Sequence, residues 1–158
     1  MRGAFFVGAL CLLCTKSIAA PLERVLDVSV NVVVNSASAQ LEIIAPRTDF
    51  LVVYLFSLGT FQPLDIPFTV RQLDGTDHNY ELTLAQLSGQ CSASGGVVSQ
   101  LMPTARLDGQ PFDALFPGRG VANPEQAHVL TLTFPGISQA AVSQTCDGVA
   151  AVIAAVIV

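Results

Sequence analysis

The chain has 158 residues, a formal net charge of −5 and an apolar content of 51%. That length suits one domain rather than two. The acidic balance, without a basic cluster, excludes nucleic acid and anionic membrane as natural partners.

Met1-Arg2-Gly3 opens the chain and an apolar run follows from Ala4 to Cys14. Lys16 and Ser17 interrupt it before Ile18-Ala19-Ala20. A basic start, a short apolar stretch and small residues at the exit describe a secretory signal peptide, cut after Ala20. The stretch is short of the roughly 20 residues a transmembrane anchor needs. Cleavage removes Arg2 and Lys16, leaving five arginines, no lysine and twelve acids, a mature charge of −7. It also removes Cys11 and Cys14. Cys91 and Cys146 remain, an even pair in an oxidising compartment, which reads as a disulfide. Two free buried thiols are the alternative. Neither His78 nor His128 stands at ligand spacing from them, so a metal site has no footing.

The first mature segment is Leu22-Glu-Arg-Val-Leu-Asp-Val-Ser-Val-Asn-Val-Val-Val-Asn35. Leu26, Val28, Val30 and Val32 alternate with Asp27, Ser29 and Asn31, as a strand buried on one side requires. Ser36–Ala39 breaks the pattern before Leu41–Ile44. Phe50–Leu58 is a β-branched and aromatic run suited to a strand covered on both faces. Ile66–Leu73 follows and ends at Asp74-Gly75. Tyr80, Leu82 and Leu84 then alternate with Glu81 and Thr83.

Beyond Gly95-Gly96, Val97–Met102 is partly apolar. Asp108-Gly109 between Leu107 and Gln110 signals a hairpin turn. Loop residues dominate from Pro117 to Pro124. Leu130, Leu132 and Phe134 face inward with Thr131 and Thr133 outward, and His128 is expected at the solvent or in a local hydrogen bond. Gln139–Val142 can begin a helical turn. Gly148–Val158 is apolar on both faces and fits a buried strand. Short strands punctuated by Gly, Pro and Asp indicate an all-β sandwich.

Catalytic patterns are weak. Ser57, His78 and Asp74 can be assembled on paper as a triad, but the chain has no G-x-S-x-G, H-E-x-x-H or phosphate-cradling glycine loop. Asp74, Asp77, His78 and Asp108 read as turn residues. The carboxylates are scattered rather than paired, so glycosidase chemistry lacks its two acids. No enzyme activity and no cofactor are expected.

The opening Leu22–Val32 resembles the start of mature pilins of the alternate chaperone–usher class, the fimbrial major subunits typified by colonization factor and coli surface antigen fimbriae. A hydrophobic-acidic-basic triplet leads into an alternating strand. The resemblance extends more loosely through Phe50–Leu58, Ile66–Val70, Tyr80–Leu87, Leu107–Phe112 and the closing apolar strand. It implies an immunoglobulin-like sandwich that lacks its last strand and is completed by donor-strand exchange. Residues 21–35 would be the donor strand and 36–158 the pilin domain. Leu26, Val28, Val30 and Val32, with Val34 as an extension, would enter a neighbouring subunit. The implied partners are identical or related pilin subunits, a periplasmic chaperone, an outer-membrane usher and a host receptor. The implied destination is the cell-surface fimbrium, reached through the periplasm. Cys91 and Cys146 depart from the pattern, because many such pilins lack cysteine. That leaves room for a minor or tip adhesin, with Phe112–Arg119 as a receptor loop. A lipid-anchored secreted β-protein is the alternative from another class, although Asp147-Gly148 is a poor spacer for a cleaved tail.

Overall fold

The computed structural model describes residues 25–32, 40–93, 96, 98–113, 115–118, 125–137 and 144–157. The expected export signal over 1–20, the polar break at 36–39 and the helical turn at 139–142 lie outside them.

The described residues form an all-β sandwich of two sheets. Twelve strands follow in chain order: β1 Val25–Val32, β2 Leu41–Ile44, β3 Asp49–Leu55, β4 Thr60–Phe61, β5 Leu64–Gln72 and β6 Tyr80–Ala93, then β7 Val98–Gln100, β8 Thr104–Leu107, β9 Gln110–Pro111, β10 Leu115–Gly118, β11 Glu125–Thr133 and β12 Gln144–Val156. The larger sheet runs β10-β6-β12-β1-β3-β4, with β7 also paired to β6. The smaller sheet runs β2-β5-β11-β8-β9.

Period-two patterning builds the core between them. β5 contributes Ile66, Phe68 and Val70, while β6 contributes Tyr80 and Leu82. β11 adds Leu130 and Leu132, and β12 adds Cys146, Ala150, Val152 and Ala154. Each fully buried aliphatic side chain of this size is worth about 1.5–3 kcal/mol. At one end, Tyr54, Phe61 and Phe134 pack edge to face, with ring centroids 5.3 and 5.8 Å apart. Pro67 sits within β5 opposite Val129 of β11, beyond the last β2 pairing at Thr69. Its missing N–H therefore leaves no ladder bond unmade on the β2 side.

The Asp108-Gly109 turn is as the sequence indicates. Both residues have positive φ, 48° and 80°, in the two-residue loop that joins β8 to β9. Mirror-image turns of that kind match strand twist, and Asp and Gly tolerate the left-handed region. Strand β3 departs from expectation. It ends at Leu55, and only one of its faces is covered: Phe50, Val52 and Tyr54 are buried while Leu51 and Val53 are 68% and 61% exposed. Apolar composition alone cannot distinguish a strand covered twice from one that leaves aliphatic residues at the surface.

Candidate strand-exchange slot

Strand β1 lies in the interior of the larger sheet. It pairs in parallel with β12 from Val25↔Thr145 to Val32↔Val152, and antiparallel with β3 from Val25↔Val53 to Ser29↔Asp49. The other strands bordering this position have few alternatives. Among the described residues, β12 otherwise pairs with β6 alone, and β3 otherwise pairs with β4 alone, at Tyr54 and Leu55. Take β1 away and two facing backbone edges lose their partners, leaving a slot between β3 and β12. Unpaired edges of this length are a template for strand addition.

Directly paired residues in a sheet share a face. Leu26 is in register with Val52 and Cys146, Val28 with Phe50 and Gly148, Val30 with Ala150, and Val32 with Val152. Phe50, Val52, Cys146, Ala150 and Val152 are all buried. The four expected donor positions are thus in backbone register with these residues of β3 and β12. Asp27 is in register with Leu51 and Asp147, Ser29 with Asp49 and Val149, and Asn31 with the buried Ala151.

The slot's β12 wall is covalently fastened. Cys91 on β6 stands opposite Cys146 on β12, and their sulfurs are bonded. The disulfide holds β12 to β6 at the register position of Leu26, so this end of the wall stays in place whether or not β1 does. The sequence expectation of a Cys91–Cys146 bridge is met.

One buried cluster was not anticipated. His128 is 2% exposed, stacked on Phe68 with ring centroids 5.4 Å apart and met edge-on by Tyr80 and Phe116. Its Nδ1 lies 2.7 Å from Asp108 Oδ2 and its Nε2 lies 2.7 Å from the Tyr80 hydroxyl. That hydroxyl donates to Gln126 Oε1 at 2.8 Å, and Asp108 Oδ1 accepts the Val129 N–H at 2.8 Å. The chain Tyr80–His128–Asp108 therefore ties β6 of one sheet to β11 and the β8–β9 turn of the other. The expectation of a solvent-facing His128 is corrected. Stepping the alternation of Leu130 and Leu132 back by one strand period places residue 128 on the inward face, and the imidazole is tolerated there because both nitrogens are hydrogen-bonded.

A hydroxyl, an imidazole and a carboxylate in series have the connectivity of a nucleophile and its base. Burial, and then the negative charge of Asp108, push the Tyr80 phenol above its ordinary value, so the hydroxyl holds its proton more firmly. A group shifted that way stays protonated through the neutral range and keeps its hydroxyl hydrogen for the bond to Gln126.

Asp74, Thr76 and His78 form the surface turn the sequence suggests. His78 Nε2 lies 2.8 Å from Asp74 Oδ2, and the Thr76 N–H donates to Asp74 Oδ1 at 3.0 Å. The Asp74 carboxyl is held down to about 2, first by the His78 hydrogen bond and then by Thr76. Ser57 lies in the turn after β3 rather than within this bonded group. No group of three or more His, Cys, Asp or Glu able to hold a metal occurs among the described residues. No described helix is long and apolar enough to cross a membrane.

No protein-family model matches the chain, and no curated protein matches it. Among solved structures, the CooA pilin subunit from enterotoxigenic Escherichia coli is similar, with a TM-score of 0.46 and 12% sequence identity over 72% of this chain and 97% of that chain. That likeness assigns no role to any residue here.

Proposed function

We infer that this protein is a structural subunit of a bacterial surface fimbria that polymerises by exchange of its N-terminal strand. The observation that carries the reading is the seat of β1: it is the first of the described strands, interior to the sheet, and paired among the described residues with β3 and β12. An identical segment from a second copy meets the same two edges. The opening sequence Leu22–Val32, with its likeness to alternate chaperone–usher pilins, supports the same assignment. Within one copy the strand closes its own slot. Between copies it would link subunits through a backbone ladder and four buried aliphatic positions. Four such burials at about 1.5–3 kcal/mol each make a durable joint.

In this reading a periplasmic chaperone occupies the slot during transit and an outer-membrane usher catalyses its replacement. Leu26, Val28, Val30 and Val32 are the donor residues, residues 21–35 the donor segment and residues 36–158 the pilin domain. Adhesion follows from display of the assembled fibre.

The test is assembly in a periplasm with chaperone and usher present. Wild-type protein is expected to give a heat-labile ladder on a denaturing gel. Val30→Asp abolishes the ladder but leaves chaperone-bound subunit, since the chaperone supplies its own strand. A wild-type chain that remains monomeric sinks the proposal. Loss of chaperone-bound subunit together with the ladder makes β1 an ordinary core strand.

A further inference from the structure

The outer face of the larger sheet carries a cleft of about 310 Å³, lined by Ser88, Gln90, Gln100, Met102, Asp147 and Val149. Its floor is the backbone of Gly89 and Gly148, which face each other across β6 and β12. The cleft owes its shape to how the chain leaves β7. Leu101 turns into the core and donates its N–H to the Gly89 carbonyl at 2.8 Å. A Cβ on Gly89 would come within 3.0 Å of the Leu101 carbonyl oxygen and 3.3 Å of its Cβ, so this crossing needs glycine. Met102 then emerges at the rim, 64% exposed.

The lining dictates what fits. Among the described residues it contains no Lys, Arg or His, which argues against phosphate, sulfate or a carboxylate as ligand. Its one charge among the described residues is Asp147, which accepts from Gln90 Nε2 at 3.2 and 3.3 Å. Around it stand the Ser88 hydroxyl and two carboxamides, groups that both donate and accept hydrogen bonds. An organic cation would match Asp147 but make no use of the carboxamide donors. A sugar hydroxyl donates to the carboxylate and accepts from an amide at once. Met102 and Val149 offer apolar surface to the C–H face of a ring. The volume lies at the low end of the roughly 300–1,000 Å³ of small-molecule sites, enough for one or two rings.

We propose that this cleft is a binding site for an uncharged saccharide, held by Asp147, Gln90 and Gln100 with Met102 against the ring. The site goes beyond subunit exchange, and every described lining residue lies outside β1.

The experiment is an amide-resonance titration of the mature monomer with galactose, N-acetylglucosamine and lactose. Tetramethylammonium chloride and sodium phosphate serve as comparison probes. At least one saccharide is expected to produce saturable shifts confined to residues 88–90, 100–102 and 147–149. Asp147→Asn and Gln100→Leu, both at exposed positions, should each weaken that binding by about tenfold, the worth of one good hydrogen bond to or near a charge. Their remaining resonances should stay in place. The proposal is overturned if no saccharide moves those resonances at ~100 mM, where any millimolar site is filled. It is equally overturned if tetramethylammonium or phosphate alone saturates the site, or if both variants bind sugar like the wild type. Failure here leaves the gel ladder untouched, so the two readings are separable.

Discussion

Gly118→Ala places a methyl group where the ring of Tyr80 lies. The two residues are directly paired across β10 and β6, and a Cβ on Gly118 would run into ring atoms Cδ2, Cε2 and Cζ, far inside van der Waals contact. Tyr80 has nowhere to step aside. Its ring is buried, and its hydroxyl is bonded to His128 Nε2 at 2.7 Å and Gln126 Oε1 at 2.8 Å. The new methyl must either push β10 off β6 or drive the ring out of its hydrogen bonds. Overpacking costs about 1–3 kcal/mol, and two buried hydrogen bonds are worth about 1 kcal/mol each. The expected loss is therefore about 3–5 kcal/mol, a large share of a domain's ~5–15 kcal/mol. Urea unfolding of four proteins measures it: wild type, Gly118→Ala, Tyr80→Leu and the double variant. With the ring gone, the same alanine should cost under about 0.5 kcal/mol, so the cycle shows strong coupling. A loss below about 1 kcal/mol in the Tyr80 protein, or an equal loss in both backgrounds, refutes the reasoning.

Two further outcomes follow from the same geometry. Replacing both Cys91 and Cys146 by alanine opens a loop with a sequence separation of 55. The chain-entropy model puts the loss at about 4 kcal/mol, or roughly 8–16 °C in Tm at this size; a calorimetric scan showing no shift would contradict it. The raised Tyr80 phenol sets an alkaline limit. Its contribution is fully present below about pH 10 and declines as pH rises, because the unfolded chain gives up a proton that the folded core keeps. Urea midpoints should fall above pH 10 in the wild type and fall less in Tyr80→Phe; identical slopes would remove Tyr80 as the cause.

Much of the sandwich is legible as alternation. Tyr80 and Leu82, or Leu130 and Leu132, are inward because a strand with one wet face must repeat every second residue. The β8–β9 turn was equally plain, since few residues other than Gly, Asn and Asp accept consecutive positive φ angles. His128 was missed because polarity outweighed position: the period placed it inward, but nothing local announced Asp108 and Tyr80 as partners 20 and 48 residues away. Leu51 and Val53 were misjudged for the converse reason, as composition does not say which face of β3 has a neighbour.

The residues from Leu22 onward specify a strand with one apolar row, and the two cysteines specify a cross-link; both are local chemistry. Which edges that strand meets is a property of the assembled sheet. β1 and β12 stand near opposite ends of the chain and pair in parallel, a register that no short-range pattern encodes. Long-range pairing is chosen by the collective burial of two sheets and by which backbone edges remain unsatisfied once the others have paired. Tertiary structure therefore turned an alternating segment into the strand that fills the gap between β3 and β12, and placed its four aliphatic positions in register with the core.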